Sequence, residues 1–352
     1  YMLNISINSI IVFIIAFAVS SICIPLVIKL AIKKRLLGEY GEGRHIHKGY
    51  VPRLGGVAIY IGFLFSQLYF FISDSSSIEN PKNYLLLLFG VLLLFVLGIL
   101  DDLVDLKAHL KFYVQLLVAV ILVWNADIRV ESFHGVLGLE TLPIWFSYLF
   151  SILIITFFIN AYNLIDGIDT LSSSIGMFVL VCFGLVFLYN GAYLETVLAF
   201  SVFGALLGFW FYNKPPAKIF MGDSGTLSMG LLMAYFAIRV TDLPLDAEGT
   251  ISPVFAFVVL SYPAIDTLRV FTVRILNGRS PFSPDRNHIH HLLLDMGYSH
   301  GKATRIIILI TLLLSFAAYL LRTMPTTSFC VMIVSTVVLA NVPFFILKYR
   351  NK

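Results

Sequence analysis

The chain has 352 residues, of which 59% are hydrophobic and 12% charged, with a formal net charge of +4 and a mean hydropathy of +0.91. A soluble domain carries about 25% charged residues, so this composition excludes a water-soluble globular protein. No charge run marks a nucleic-acid surface, and no nucleic-acid partner is expected.

Apolar runs of roughly 18 to 25 residues recur along the chain, each long enough to cross a bilayer core of ~30 Å as a helix. They are continuously apolar rather than alternating, which selects spanning helices over a barrel. The first run, residues 8–32, reads as a retained span and not a signal peptide. It has no basic region ahead of it and carries Lys29, Lys33, Lys34 and Arg35 at its far end. Ten further helices are predicted at 54–73, 83–100, 110–125, 143–163, 171–190, 193–212, 225–241, 252–276, 303–322 and 327–347. The ninth of the eleven, 252–276, contains Pro263, Asp266, Arg269 and Arg274 and reads as broken or tilted. The predicted fold class is all-α: a polytopic integral membrane protein of about 11 transmembrane helices forming a single catalytic domain over residues 1–352. Cys23, Cys182 and Cys330 lie far apart inside apolar runs without metal spacing and read as small buried hydrophobes.

Charge sets the orientation. Lys33, Lys34, Arg35, Arg44, Lys48 and Arg53 fall in the first loop, and Lys107, Lys111, Lys214, Lys218, Arg279, Arg286 and Lys302 in later loops of the same side. The opposite side has Lys82 and Arg129, with Arg239 and Arg322 near its helix ends. The positive-inside rule then puts the N-terminus outside and the C-terminus in the cytoplasm. With that topology the polar motifs gather on one membrane face, in loops 33–53, 101–111, 164–170, 213–224 and 277–302.

"GILDDLVDLKAHLKF" places Asp101, Asp102 and Asp105 at the end of the third span, where acids meet the negative end of the helix dipole and a compensating cation is expected. "NLIDGID" supplies Asn163, Asp166 and Asp169. "MGDSG" puts Asp223 and Ser224 at the start of the eighth span, an N-cap and equally a site for phosphate. "RSPFSPDRNHIHH" adds Arg279, Arg286, His288, His290 and His291. Ionisable groups at membrane depth are costly and mark function. Asp and Asn oxygens without cysteine select a hard cation, Mg²⁺ or Mn²⁺, and Lys and Arg suit a polyanionic substrate. Together these are the equipment of phosphoryl transfer at a membrane surface, with a lipid as one reactant. An ion-coupled transporter, the rival class, would carry its acids near the bilayer midplane in a repeated half; here they sit at one boundary and no repeat is seen.

Five motifs in order, "HKGYVPRLGG", "GILDDLVDL", "NAYNLIDGIDTL", "KIFMGDSGTLSMG" and "DRNHIHHLLLDMG", resemble the polyprenyl-phosphate N-acetylhexosamine-1-phosphate transferases, the family that includes the MraY, WecA and TagO enzymes. The resemblance implies transfer of a sugar 1-phosphate from a UDP-N-acetylhexosamine to undecaprenyl phosphate, with release of UMP, at the cytoplasmic face of the bacterial plasma (inner) membrane. It implies Asp223 as the direct Mg²⁺ ligand, and Asp101 or Asp102 as acceptor of the lipid phosphate's proton or a second metal contact. By the same resemblance, Asn163, Asp166 and Asp169 line the nucleotide and diphosphate site. Asn213 and Phe220 meet uracil and ribose, Lys48 and Lys111 meet phosphates, and the Arg279–His291 loop meets the sugar nucleotide. "HIHH" after "DRN", in place of MraY's uninterrupted histidine triplet, resembles the WecA and TagO side and favours UDP-GlcNAc over UDP-MurNAc-pentapeptide. Related enzymes are often homodimers, which makes a second copy a candidate partner. The lipid phosphate has its second pKa near ~6 and is already largely a dianion at neutral pH. Loss of Asp223 is therefore expected to be worse than loss of Asp101 or Asp102 alone.

Overall fold

The computed structural model describes residues 2–34, 51–243, 253–280, 286–321 and 324–350; Arg44, His45, His47, Lys48, Asp285 and Arg322 lie outside the described residues. In chain order the elements are α1 (Met2–Lys34), α2 (Gly55–Asp74), α3 (Pro81–Val104), α4 (Ala108–Asn125), a hairpin of β1 (Ser132–Val136) and β2 (Leu139–Thr141), and α5 (Ile144–Leu164). There follow α6 (Leu171–Tyr189), α7 (Tyr193–Asn213), α8 (Gly222–Thr241), α9 (Pro253–Val259), α10 (Ser261–Leu276), α11 (Ile289–Asp295), α12 (His300–Leu320) and α13 (Pro325–Arg350). Among the described residues nine helices are long and apolar enough to cross a membrane, or ten if α9 and α10 are one bent span. The chain is a multi-pass membrane protein.

The predicted span 225–241 corresponds to α8, which is not among those ten. Its sequence, "GDSGTLSMGLLMAYFAIRVT", carries too many Gly, Ser and Thr residues for a lipid-facing helix. It needs no apolar exterior, because every residue from Ser224 to Ile238 is buried against neighbouring helices. α3 and α5 cover α8 most extensively, with α2 and α6 beside them. Small residues along α8 let these backbones come close, which is how helices associate where no water drives them together. The outer helices carry the lipid-compatible surface: Ile10, Ile14 and Leu26 on α1, and Val334 and Val338 on α13, are all exposed.

The ninth predicted span divides into α9 and α10, bent by 74°. Pro263 has no N–H for the Val259 carbonyl one turn earlier, and its ring crowds that carbonyl, so the helix breaks between Val259 and Ser261. The chain is mostly helical, and one β1–β2 hairpin is added between α4 and α5, paired antiparallel with Ser132 opposite Thr141 and Val136 opposite Leu139. Its strands are too short to stand out beside the apolar spans. His134 Nε2 lies 2.9 Å from the Thr241 carbonyl at the end of α8, and Leu137 N donates to Thr326 Oγ1 at 3.0 Å. An apolar cavity of about 280 Å³ lies beneath the hairpin, lined by Phe133, Ile154, Phe158, Val254, Phe257 and Phe329 among others. The cysteines are not buried as expected: Cys23 and Cys182 are half-buried and Cys330 is exposed on lipid-facing α13.

Candidate active site

α3 runs four residues past its predicted end at residue 100 and stops at Asp105, whose φ of 53° cannot continue a helix. Asp101 and Asp102 therefore stand in the last helical turn, with side chains fixed by the helix. Asp101 Oδ1 accepts from Leu106 N at 2.8 Å, which folds the chain back toward α4. In the first turn of α4, Lys111 Nζ donates to Asp101 Oδ2 at 2.8 Å and to Asp223 Oδ2 at 3.0 Å. In the last turn of α5, Asn163 Nδ2 donates to Asp223 Oδ1 at 2.9 Å and to Thr226 Oγ1 at 2.7 Å. Four helices thus meet at one cluster of two carboxylates, an ammonium and a carboxamide, drawn from positions 101 to 223. Lys111 supplies the compensating cation that the acidic end of α3 requires.

Asp102 has a different task. Its Oδ1 accepts from Asp223 N at 2.8 Å and its Oδ2 from Ser224 N at 3.0 Å. It caps the N-terminus of α8 from another helix, placing a negative charge on otherwise unpaired amides. The approach depends on Gly222, which has φ +72°; a Cβ there would lie 1.8 Å from the Arg53 carbonyl oxygen and 2.7 Å from Asp102 Oδ2. The "RLGG" segment joins the same turn: Gly55 N and Gly56 N donate to the Phe220 and Met221 carbonyls, both at 2.8 Å. Of the three carboxylates, Asp101 and Asp223 face Lys111, while Asp102 faces the amides of α8. Among the described residues, no group of three or more His, Cys, Asp or Glu is arranged to hold a metal. Two carboxylates still fit Mg²⁺, which is commonly held by one or two of them and completed by water and substrate phosphate.

The 164–170 segment lies beside this cluster. Asp166 accepts from Ser172 Oγ, and its burial pushes its pKa up to about 6. Asp169 is buried; its Oδ2 accepts from Ala217 N at 3.3 Å and lies 3.5 Å from His300 Nδ1. Asn213, also buried, accepts from Thr170 N at 2.8 Å and donates to the Ile219 carbonyl at 2.9 Å. Asp169 and Asn213 therefore tie the two loops together. Phe220 is half-buried, its backbone N donating to the Pro52 carbonyl at 2.8 Å.

The histidines come from α11 and the turn before it. His288 and His290 are buried and His291 half-buried, and the His290 and His291 ring centroids are 4.3 Å apart. Burial pushes the His290 pKa down to about 3, so this ring is neutral at pH 7, and burial also lowers the pKa of His291. Among the described residues His290 Nε2 has no hydrogen-bond partner, and it faces Gly167, where an added Cβ would lie 2.2 Å from it. α11 thus closes over the 164–170 segment. Arg279 and Arg286 are exposed. The sequence suggested no site role for Ser172, Thr226, Tyr262 or Asp266, the last of which was noted only as interrupting the ninth span. Asp266 was the findable one, since a carboxylate inside a membrane-length helix requires an explanation.

The chain matches the glycosyl transferase family 4 model over residues 84–241. A probable undecaprenyl-phosphate N-acetylglucosaminyl 1-phosphate transferase of Bacillus subtilis (strain 168) is 33% identical over 318 residues, covering 90% of this chain and 86% of the relative. The undecaprenyl-phosphate alpha-N-acetylglucosaminyl 1-phosphate transferase of Salmonella typhi is 30% identical over 301 residues, 84% and 78% of the two chains. The Escherichia coli (strain K12) protein of that name is 28% identical over 288 residues, 80% and 76%. The family match takes in Asp101, Lys111, Asn163 and Asp223, and the relatives extend the likeness over nearly the whole chain: the protein belongs to glycosyl transferase family 4.

Proposed function

We propose that the protein transfers N-acetylglucosamine 1-phosphate from UDP-N-acetylglucosamine to undecaprenyl phosphate at the cytoplasmic face of a bacterial plasma membrane, the first step of a lipid-linked envelope glycan. The observation that carries this is the Asp101–Lys111–Asp223–Asn163 cluster at one end of a membrane-length helical bundle, in a chain whose relatives are named for that reaction. An oxygen of the lipid phosphate attacks the sugar-linked phosphorus. The bond from that phosphorus to the bridging oxygen breaks, and UMP leaves with the bond's electron pair.

The nucleophile is already largely a dianion at neutral pH, so the chain's task is positioning and charge neutralisation rather than proton removal. Lys111 neutralises charge on the diphosphate and, with Asn163, holds Asp223 in one orientation. Asp102 fixes the first turn of α8, on which Asp223 stands. Mg²⁺, with Mn²⁺ as a substitute, would be held by Asp223 and Asp101 and would supply further neutralisation of the phosphates. Asp166 and the histidines of α11 stand where the sugar nucleotide would lie, and the exposed Arg279 and Arg286 would meet its anionic part. The basic side of the sequence supports an outside N-terminus and a cytoplasmic C-terminus.

The test is UMP release by purified protein in detergent with undecaprenyl phosphate, Mg²⁺ and UDP-N-acetylglucosamine. Release should require the lipid and the metal and vanish in Asp223→Ala. Folded protein that yields no UMP from any UDP-sugar would refute the reading.

A further inference from the structure

α10 carries three polar side chains one or two turns apart, Tyr262, Asp266 and Arg269, at i, i+4 and i+7 and so on one face. All three reach the segment that holds the histidines. The Tyr262 hydroxyl lies 3.1 Å from His290 Nδ1. Asp266, fully buried, places Oδ2 2.6 Å from His288 Nδ1 and accepts from Ile289 N at 2.7 Å through Oδ1. Arg269 Nη1 donates to the Asn287 carbonyl at 2.6 Å.

We propose that Asp266 and Tyr262 are positioning residues, which fix the orientation of His288 and His290 and the Nδ1 proton of His288 for the sugar-nucleotide half of the reaction; this rests on the transferase reading above. A carboxylate accepts only, so His288 carries a proton on Nδ1. His290 is gripped at Nδ1 by Tyr262, and its buried Nε2, without a partner among the described residues, points at Gly167, between Asp166 and Asp169. A ring held on one side, with its other nitrogen unsatisfied and aimed at the loop beside the carboxylate cluster, is oriented for a ligand rather than for the core.

The experiment is histidine-selective ¹⁵N NMR of the detergent-solubilised protein, with His288→Gln to assign the signal, beside initial rates for wild type, Asp266→Asn and Tyr262→Phe. Wild-type His288 should carry its proton on Nδ1, and Asp266→Asn, whose carboxamide can turn its NH₂ to the ring, should move it to Nε2. In both variants KM for UDP-N-acetylglucosamine should rise about tenfold, the scale on which such supporting partners act, with KM for undecaprenyl phosphate unchanged. Tyr262→Phe keeps the ring and the fold. A Tyr262→Phe protein of unchanged KM, or an Asp266→Asn protein with an unchanged His288 signal, overturns the proposal. Wild-type protein that releases no UMP would refute the transferase reading, and the tautomer measurement would then decide the clamp by itself.

Discussion

Asp102→Asn separates two roles for one carboxylate. In the structure both oxygens of Asp102 accept backbone amides of α8, from Asp223 N at 2.8 Å and Ser224 N at 3.0 Å. Asparagine preserves the shape and one acceptor, but sets its NH₂ against the second amide. The loss is one hydrogen bond to a charged group, about 1.5–3 kcal/mol, plus the carboxylate's attraction to the helix N-terminus, about 0.3–1 kcal/mol. Together they amount to about 2–4 kcal/mol, enough to lower the unfolding midpoint by about 5 °C in a chain of this size. The assay is thermal unfolding of the purified variant in detergent, followed by tryptophan fluorescence, alongside UMP release. A lowered midpoint with activity reduced but measurable is the expected result. An unchanged midpoint with activity abolished would refute the capping role and make Asp102 a participant in the chemistry.

Lys111→Met removes the ammonium shared by Asp101 and Asp223, and kcat should fall about 10²–10³-fold, the usual cost of removing one preorganised stabilising group; Lys111→Arg should recover part of it. Gly167→Ala would bring a Cβ to 2.2 Å from His290 Nε2. Gly167 is itself exposed, so the variant should fold normally and lose affinity for the sugar nucleotide, and wild-type kinetics would disprove the contact. Acid should act through His290, whose pKa lies at about 3 in the folded chain against about 6.5 unfolded. The unfolded chain takes the proton first, so this group's contribution is intact above about pH 6.5 and is lost as pH falls toward 3. Asp166 has the opposite sign: its pKa of about 6 when folded exceeds the unfolded value of about 3.9. The stability it contributes is therefore present below about pH 4 and lost as pH rises through 6. Unfolding midpoints between pH 4 and 7.5 should show each slope, removed in His290→Gln and Asp166→Asn respectively.

Spans and motif positions were legible because lipid imposes long apolar runs and leaves conspicuous any residue that breaks them. What the runs could not show is which oxygen faces what. Asp101 and Asp102 are adjacent and chemically identical in sequence, yet one meets Lys111 and the other the amides of α8, a division made by the 100° rotation per residue of a helix that extends beyond its apolar part. Asp169 and Asn213 accept from Ala217 N and Thr170 N, pairings between loops that the motifs do not display. Pro263 announced a break in the ninth span, but the direction of the resulting turn depends on packing, and with it the encounter of Asp266 and His288. The hairpin gave no comparable signal.

The enclosure of α8 has a mechanical consequence. A helix in contact with lipid adjusts to membrane thickness by tilting or shifting, at a modest cost per ångström. α8 is shielded from that force by α2, α3, α5 and α6, so its depth is set by protein and not by the acyl chains around it. Growth temperature or a change of lipid composition would then be absorbed by the peripheral helices α1 and α13, whose outward faces are bare. The carboxylate on the end of α8 would keep its height relative to Lys111 and Asn163 while the membrane around it thins or thickens.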